Sequence, residues 1–484
     1  MITLPEAISI VACILLPVLA GIIAYATPKW RSAIVVTTTL VVAGLVLSLY
    51  PASFAGHTTH TLFQGVTGLK LVIQLDPLTW LFAFVASMLW IPASIYALAY
   101  MGNDERAGRF FAFYLISLTA TLGIAFAGSL VTLYLFYEML TLVTFPLVVH
   151  SGGPDAKRAG RAYISYGLFG AGLILLAIGL TSMLAPSFTF APGGMLVVGA
   201  AQMQLARAVL LLFVFGFGVK AAIVPFHRWL PLAMAAPTPV SALLHAVAVV
   251  NAGSYGILRI LHTVYGRALL TRLGMTPILV ALACVTIIAG SIWALREQHL
   301  KRRLAYSTIS QMGYLLLGGV LPSPLGLQAT LLHFLNHGLL KIALFFSVGI
   351  LNQKGITTVN EVQGMGKKYP LVFATITLSS LGMVGIVPMN GFVSKWFYLQ
   401  GALETNSYIV IAVLALSSIL NAFYFFPIVS KAFFGKQSTE KPVKLQRGLA
   451  LPGFVIACCS LLLGISPHWA VTMAAKAAAL ISTI

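Results

Sequence analysis

The stretch LLHFLNHGLLKIALFFSVGI, residues 331–350, decides how this sequence is interpreted. About 20 mostly apolar residues are enough for one helix to cross the hydrocarbon core of a membrane. The stretch also carries His333, His337 and Lys341 at intervals of four, and residues four apart lie on one face of a helix. It therefore predicts a membrane helix with one ionisable stripe, and ionisable groups within a membrane indicate a functional path.

The composition places the whole chain in a membrane. It has 484 residues, of which 59% are hydrophobic and 8% are charged, and its mean hydropathy is +0.97. A soluble domain carries about 25% charged residues. We therefore predict an all-α integral membrane protein of the inner (cytoplasmic) cell membrane, with the lipid bilayer around it. The net charge of +19 is then explained by the positive-inside rule, and no nucleic-acid partner is expected.

Apolar runs long enough to span the bilayer recur along the chain, and the run from Met1 to Ala26 is expected to stay as a first helix because no cleavage signal follows it. We predict about fourteen transmembrane segments, at 7–26, 32–51, 78–100, 110–128, 130–150, 162–185, 206–229, 239–262, 275–295, 304–321, 327–351, 370–400, 407–434 and 449–475.

The loop charges predict the orientation. Loops after odd-numbered segments hold twenty of the 29 lysines and arginines, and the opposite loops hold six. Cytoplasmic loops are the richer in lysine and arginine, so the odd loops are predicted to be cytoplasmic and both termini non-cytoplasmic. The remaining three cations, Lys220, Lys341 and Lys395, fall inside predicted segments.

Two segments share a proline motif. Segment 7 contains AAIVPFHRWL (221–230) and segment 12 contains VGIVPMNGFVSKW (384–396), so I-V-P recurs at Pro225 and Pro388. The two segments are an odd number apart and therefore run in opposite directions, as inverted repeats require. The motif predicts two broken helices beside a transport path. Chance similarity between two proline-containing helices is the alternative explanation.

Glu138 is the one acid of the chain that lies well inside a predicted segment. A charge at the bilayer centre costs at least about 2.5–3.5 kcal/mol on insertion scales. A partner of opposite charge offsets that cost, and Lys220 on segment 7 is the natural one. We predict a Glu138–Lys220 pair that belongs to an ion path. A static ion pair that only fixes helix packing is the alternative.

Further polar residues extend the series to other segments. His245 and Asn251 lie on segment 8, the stripe His333, His337 and Lys341 on segment 11, and Lys395 on segment 12. Histidine has the unperturbed pKa closest to neutrality, so it can accept and pass on a proton. Together with Glu138 and Lys220 these residues predict a path for protons or cations. The alternatives are a structural histidine at 245, a snorkelling lysine at 395, and haem ligation by histidines on two helices.

The sequence contains no phosphate loop, no dinucleotide fingerprint and no cluster of metal ligands. Its four cysteines lie in apolar runs without a C-x-x-C pair, which is typical of buried packing. We therefore expect no catalytic site, cofactor or metal in this chain. Whether the complex around it is an enzyme stays open.

Several motifs resemble one family closely. They are FYEML (136–140), VKAAIVPFHRWLPLAMAAPTPVSALLH (219–245), LKRRLAYSTISQMGYLLLG (300–318), LLHFLNHGLLKIALFF (331–346) and GIVPMNGFVSKW (385–396). They are similar to the antiporter-like subunits of respiratory complex I (NADH:quinone oxidoreductase), of Mrp cation/proton antiporters and of membrane-bound hydrogenases. The stretch FYEMLTLVTFPLVVH most resembles D-type Mrp and hydrogenase-associated members.

This resemblance implies an architecture and a site. Helices 4–8 (110–262) and 9–13 (275–434) would form two inverted five-helix repeats, flanked by residues 1–109 with helices 1–3 and residues 449–484 with helix 14. A Glu138–Lys220 pair would begin a charged axis that continues through His245 and Lys341 to Lys395. One departure is Asn251, where many members carry a lysine, so the link across the middle would fall to His245, His333 or water.

The resemblance also implies partners. The chain would be a proton-translocating subunit, with Na⁺ as a further candidate ion, beside other membrane subunits. An Mrp-type antiporter would be driven by an ion gradient, and a complex I or hydrogenase relative by soluble redox subunits. A membrane subunit of an inorganic-carbon uptake system, a haem-bearing membrane cytochrome and a purely structural anchor are the alternative functions.

Overall fold

The computed structural model describes residues 2–65, 70–435, 443 and 445–482. Lys436, Lys441 and Lys444, which contribute to the predicted cytoplasmic charge, lie outside the described residues, as do the last two residues of the predicted C-terminal unit. The elements are α1 Leu4–Ala26, α2 Arg31–Ser48, α3 Tyr50–Ser53, β1 Thr58–Gln64, β2 Lys70–Leu75, α4 Pro77–Tyr100, α5 Ala107–Phe126, α6 Leu130–Val148, α7 Pro154–Thr181, α8 Met203–Lys220, α9 Trp229–Leu232, α10 Thr238–Ala246, α11 Val249–Arg259, α12 Gly266–Leu273, α13 Thr276–Arg296, α14 Leu300–Val320, α15 Pro324–Gln353, α16 Pro370–Val384, α17 Asn390–Glu404, α18 Tyr408–Phe434, α19 Arg447–Ile465 and α20 His468–Ser482.

The chain is a multi-pass helical membrane protein. Within the described residues, twelve helical stretches are long and apolar enough to cross a membrane. Two other predicted segments have a different form: α14 begins with three consecutive basic residues, and segment 12 consists of two short halves, α16 and α17. A helix or a pair of helices therefore occupies each predicted position, while the count of fourteen crossings and the two repeats stay predictions.

The helix that carries the ionisable stripe lies at the centre of the molecule. Every residue of α15 from Gly326 to Leu351 is buried, on all sides of the helix. The same holds for α10 and α11. A helix buried all round must be enclosed by other helices. The polar side chains of α15 therefore face protein on every side, and lipid does not reach them.

Three of the interrupted helices border the site described below, and two of their breaks are the predicted ones. α8 ends at Lys220, and the chain turns through Ala222, whose φ is +53°, and Pro225 before α9 begins. α16 ends at Val384, and Pro388 lies in the turn before α17. The third break, between α10 and α11 at Val247 and Ala248, was not predicted.

Two further features differ from the sequence prediction. A hairpin of β1 and β2 pairs Thr58 with Leu75 and Gln64 with Lys70 in the predicted loop between segments 2 and 3. The short apolar run LVIQL, with its β-branched Val72 and Ile73, is the strand signal that could have revealed it. The last predicted segment, 449–475, is two helices, α19 and α20, separated by Ser466 and Pro467.

α11 packs directly on the end of α8. A Cβ added to Gly253 would overlap the main-chain nitrogen of Ala221 and would lie 2.9 Å from the carbonyl carbon of Lys220. These atoms are backbone and cannot turn away as a side chain could. Glycine at position 253 therefore lets α11 approach the end of α8, where the chain turns.

We predict that Gly253→Val destabilises the fold by about 1–3 kcal/mol or more, because the added atoms overfill a packed backbone contact. The measurement is the thermal unfolding midpoint of the purified chain in detergent. Gly172→Val is the matched control, since a Cβ at Gly172 on α7 would meet nothing within 4 Å. Equal midpoints for the two variants would contradict this account of the contact.

Candidate functional site

The predicted pair of Glu138 and Lys220 is present. Lys220 Nζ lies 3.9 Å from Glu138 Oε1, and the lysine side chain is almost fully buried. Lys220 also donates a hydrogen bond to the carbonyl oxygen of Tyr137, and its Nζ lies 3.3 Å from the centre of the Tyr137 ring. The ammonium group therefore has three partners: a carboxylate, a carbonyl and an aromatic face. At 3.9 Å the carboxylate is near enough to act on the charge without holding it in a tight hydrogen bond.

Lys395 sits across the break of segment 12. Its Nζ donates to the carbonyl oxygens of Met383 and Val384, at 3.1 and 2.7 Å, and to Ser418 Oγ at 3.1 Å. Those two carbonyls belong to the last turn of α16, where a helix leaves acceptors unpaired. Gly385 has φ of +89° and provides space, because a Cβ there would lie 2.7 Å from Lys395 Cδ. The side chain is therefore built into the break and does not snorkel towards an aqueous interface.

Two buried lysines lie between the breaks. Lys341 Nζ donates to the carbonyl oxygen of Leu304 at 3.0 Å and to Ser307 Oγ at 2.5 Å. Lys301 Nζ donates to the carbonyl oxygens of Met234 and Ala236 at 2.8 and 2.7 Å. Both lysines thus bond to oxygen atoms that carry no formal charge, and both are buried.

Three histidines connect these lysines. His333 Nδ1 lies 3.2 Å from Ser394 Oγ, and its ring is 6.2 Å from the His337 ring, centre to centre. His337 is within electrostatic reach of Lys341 and of His245, and His245 is within reach of Lys301 as well. Among the described residues, neither ring nitrogen of His245 or His337 has a hydrogen-bond partner. Buried polar atoms of this kind are normally paired with ordered water, which could carry protons from one ring to the next.

Asn251 supports the unpredicted break. Its Nδ2 donates to the carbonyl oxygen of Ala246 at 2.8 Å, the last residue of α10. Its Oδ1 is buried with no partner in the described part of the chain. Asn251 is two residues from Gly253, where α11 touches Lys220. It therefore lies between the Glu138–Lys220 pair and the histidines, and offers an acceptor but no proton.

The structure thus sorts the predicted residues into two groups. One consists of Glu138 and Lys220. The other consists of His245, His333, His337, Lys341 and Lys395, which lie within electrostatic range of one another in sequence along the group. The two groups approach each other where α11 packs on α8. The helix breaks after Lys220 and Val384 place Pro225 and Pro388 at the ends of the path, in the turns beside it.

Sequence reasoning missed Lys301. In HLKRRLAY it was assigned to a cytoplasmic loop, because three basic residues in a row are typical of one. Its neighbour Arg302 fits that description, with a side chain 52% exposed, whereas Lys301 points inward. Arg303 is buried as well. Helical periodicity from the apolar Leu300 and Leu304 could have indicated that some of the three basic residues face the core.

A family profile matches most of this region. The profile described as "NADH:quinone oxidoreductase/Mrp antiporter, TM" matches residues 127–421, which include both helix breaks and all of the site residues. A second, "NADH-Ubiquinone oxidoreductase (complex I), chain 5 N-terminus", matches residues 65–111. The chain belongs to the NADH:quinone oxidoreductase/Mrp antiporter family.

The curated relatives include both NADH-quinone oxidoreductase subunits and antiporter subunits. The chain is 34% identical over 374 residues to NADH-quinone oxidoreductase subunit N of Desulforudis audaxviator, covering 76% of this chain and 73% of that protein. It is 30% identical over 453 residues to a probable K⁺/H⁺ antiporter component of Rhizobium meliloti, covering 90% of this chain and 44% of that protein. The chain therefore spans about half the length of the antiporter proteins that it matches. The closer resemblance to D-type members stays a prediction.

Two solved structures share the fold. A chain of the Mrp complex from Dietzia sp. DQ12-45-1b superposes with a TM-score of 0.86 at 22% identity, covering 99% of this chain and 97% of that one. A chain of the archaeal membrane-bound sulfane sulfur reductase gives a TM-score of 0.88 at 22% identity, covering 98% and 97%. Similar proteins are thus subunits of multi-subunit membrane complexes.

We predict that Lys301→Met lowers the thermal unfolding midpoint, because it removes the lysine donor from the buried carbonyl oxygen of Met234 and leaves that of Ala236 with only a long bond from Ser241. A buried unsatisfied group costs about 1–3 kcal/mol. Arg302→Met is the matched control, one residue away and largely exposed. Both variants would be measured in detergent by thermal unfolding. If Lys301→Met were as stable as Arg302→Met, the contacts of Lys301 would not contribute to the fold.

Proposed function

We propose that this chain is the proton-translocating subunit of a multi-subunit membrane complex, and that its buried lysines and histidines carry the protons. The observation that supports this most is the series of buried lysine and histidine side chains that runs from one helix break to the other. A static network would be expected to pair its charges fully. Here five ring nitrogens of His245, His333 and His337 have no partner among the described residues, and three lysines bond only to uncharged oxygens.

In this proposal Glu138 controls the proton on Lys220. Two unit charges about 4 Å apart interact by about 4 kcal/mol at the effective dielectric constant of a protein. Moving the carboxylate away from Lys220 Nζ removes that attraction, which is worth about a thousandfold in a proton equilibrium. The distance of 3.9 Å and the unpaired Glu138 Oε1 leave the carboxylate free to move. Lys220 would then release its proton towards the centre.

The crossing of the centre falls to the histidines. Asn251 can order water through its free Oδ1 but cannot hold a proton. His245 and His337 can, since each has two buried ring nitrogens without a hydrogen-bond partner among the described residues and lies near Lys341. His333 then leads to Lys395. The order of transfer is Lys220, water at Asn251, His245, His337, His333 and Lys395, with Lys341 and Lys301 beside the route.

The host would be a membrane assembly of the inner cell membrane, with both termini on the non-cytoplasmic side. In an Mrp-type antiporter, protons would exchange for Na⁺ or K⁺ carried by the complex. In a complex I or hydrogenase type of host, soluble redox subunits would drive the pump, and any cofactor would be bound by those subunits. Purification of the intact complex, followed by identification of its subunits, distinguishes the two.

We predict that Glu138→Gln and Lys220→Ala each reduce proton translocation at least roughly tenfold, since either change removes one partner of the controlling pair. The assay is proton movement in vesicles that contain the whole complex. Lys29→Ala, on the surface turn after α1, is the control and should leave the rate unchanged. Wild-type rates in both Glu138→Gln and Lys220→Ala would refute the proposed mechanism.

We further predict that His333→Ala slows translocation roughly tenfold, because it interrupts the series between His337 and Lys395. His468→Ala, at the first residue of α20, is the control. A second variant tests the role given to the asparagine. Asn251→Lys, added to His245→Ala, should recover part of the rate that His245→Ala loses, because it supplies a proton carrier beside the same break. Translocation that is indifferent to His333→Ala would rule out this route.

A further inference from the structure

A second buried charge pair lies outside the series described above. Arg259 on α11 binds Asp76 through two hydrogen bonds, Nη1 to Oδ2 at 2.5 Å and Nη2 to Oδ1 at 2.8 Å. Its Nε donates to the Tyr255 hydroxyl at 2.8 Å, and its Nη2 also donates to Thr79. Arg259 is fully buried. Asp76 caps α4 by accepting from the Thr79 amide. The pair therefore holds the start of α4, next to the β-hairpin, against α11.

Two cavities meet beside this pair. The outer one has a volume of about 400 Å³ and is bounded by His262, Arg267, Thr271 and Ser323, among others. The inner one, of about 30 Å³, is bounded by His57, Asp76, Arg259 and His262. A cavity of the inner size can hold one water molecule when polar groups surround it. His262 bounds both cavities, together with Gly193 and Ile481, and is their one shared titratable residue.

His262 has the features of a relay group. Its Nε2 is buried without a hydrogen-bond partner among the described residues, while the carbonyl of Gly319 accepts from the other side of the ring. It lies in a π-helical segment, Ile260–Tyr265, that follows α11. Such segments are rare and occur frequently at functional sites. Arg259 and Arg267 are the charged groups that act on this ring.

The polar residues of this helix form one stripe. Asn251, Tyr255 and Arg259 follow one another at intervals of four, and His262 comes three residues later, so all four lie on about the same face. The stripe therefore runs from the central break to the outer cavity. That cavity opens on the face where α8 begins and α20 ends, which the loop charges predict to be non-cytoplasmic.

We propose that this stripe is a proton access route between the non-cytoplasmic solution and the centre of the molecule, with His262 as its relay and the Asp76–Arg259 pair as its gate. The inference rests on the proposed function. Arg259 and Arg267 repel Na⁺ and K⁺, because each of these ions has to move past them as a charged particle. A proton can instead be transferred along water molecules and an imidazole ring. Arginine stays charged in proteins and cannot itself pass a proton. While Asp76 binds Arg259, the arginine therefore blocks the route between His262 and Tyr255.

The first test is the accessibility of position 262. His262→Cys would be made in the whole complex after Cys13, Cys284, Cys458 and Cys459 are replaced by alanine. A small, charged, membrane-impermeant methanethiosulfonate reagent is then added to right-side-out and to inside-out vesicles. We expect modification from the non-cytoplasmic side only. Val264→Cys, two residues away, buried and bounding neither cavity, should react roughly tenfold more slowly or not at all.

The second readout is translocation after modification. Unmodified His262→Cys should already translocate protons more slowly than the unchanged chain, because the relay imidazole is gone. Modification should then remove most of the remaining rate, whereas modified Val264→Cys should lose none. If His262→Cys does not assemble, Thr271→Cys on the wall of the outer cavity replaces it, and there the reagent blocks the entrance. The access route is wrong if positions 262 and 264 react alike, or if modification leaves the rate unchanged.

A parallel measurement of Lys220→Ala keeps the two hypotheses separate. Loss of translocation in Lys220→Ala together with indifference to modification at 262 would overturn the access route and leave the proposed function in place. Normal translocation in both Lys220→Ala and Glu138→Gln would overturn the proposed function. In that case, modification of His262→Cys that stopped proton movement would still support the route.

Discussion

The constraint on which this structure depends is the cost of placing an ammonium group among apolar helices. Four lysines are buried or half-buried in the membrane region, and each donates to at least one main-chain carbonyl oxygen: Lys220, Lys301, Lys341 and Lys395. Carbonyl oxygens are available at helix ends, because the last turn of a helix leaves them unpaired. The interrupted segments supply such acceptors for Lys395, at the end of α16, and for Lys301, between α9 and α10. Lys220 and Lys341 instead donate to carbonyl oxygens inside α6 and α14.

Each of the two proline breaks has one lysine beside it, but the lysine comes from a different side of the proline. Aligning the I-V-P motifs places Met383 at the position of Lys220, since each lies five residues before its proline. In segment 12 the lysine comes instead from seven residues after the proline, and its Nζ folds back to the carbonyl of Met383. Both breaks thus hold one lysine near the same point of the turn. The two lysines lie on different sides of their prolines, since Lys220 precedes Pro225 and Lys395 follows Pro388.

The sequence allowed these breaks and most site residues to be predicted because proline and buried charge are local signals. Glu138 and Lys220 could be paired from their isolation in apolar segments alone. The break at Val247 and Ala248 carries no proline or glycine, so it arises from packing between distant helices that no local pattern reports. Lys301 and Arg259 were missed for a related reason. Each lies near the end of a segment, where a basic residue is ordinarily a loop charge, and the carbonyls or carboxylate that bind it come from 65 to 183 residues away.

The two halves differ in their counter-charges, and this difference suggests how protons advance. Within the described residues, Lys220 has a carboxylate within 4.0 Å, whereas Lys301, Lys341 and Lys395 have only uncharged oxygens as partners. Protonated groups in the second half therefore repel one another without compensation, and His245 feels both Lys301 and Lys341. Such repulsion is weakly screened where water is scarce. In the proposed mechanism, a proton released by Lys220 would raise the energy of every proton already on these groups, so that arrival at one end would favour departure at the other.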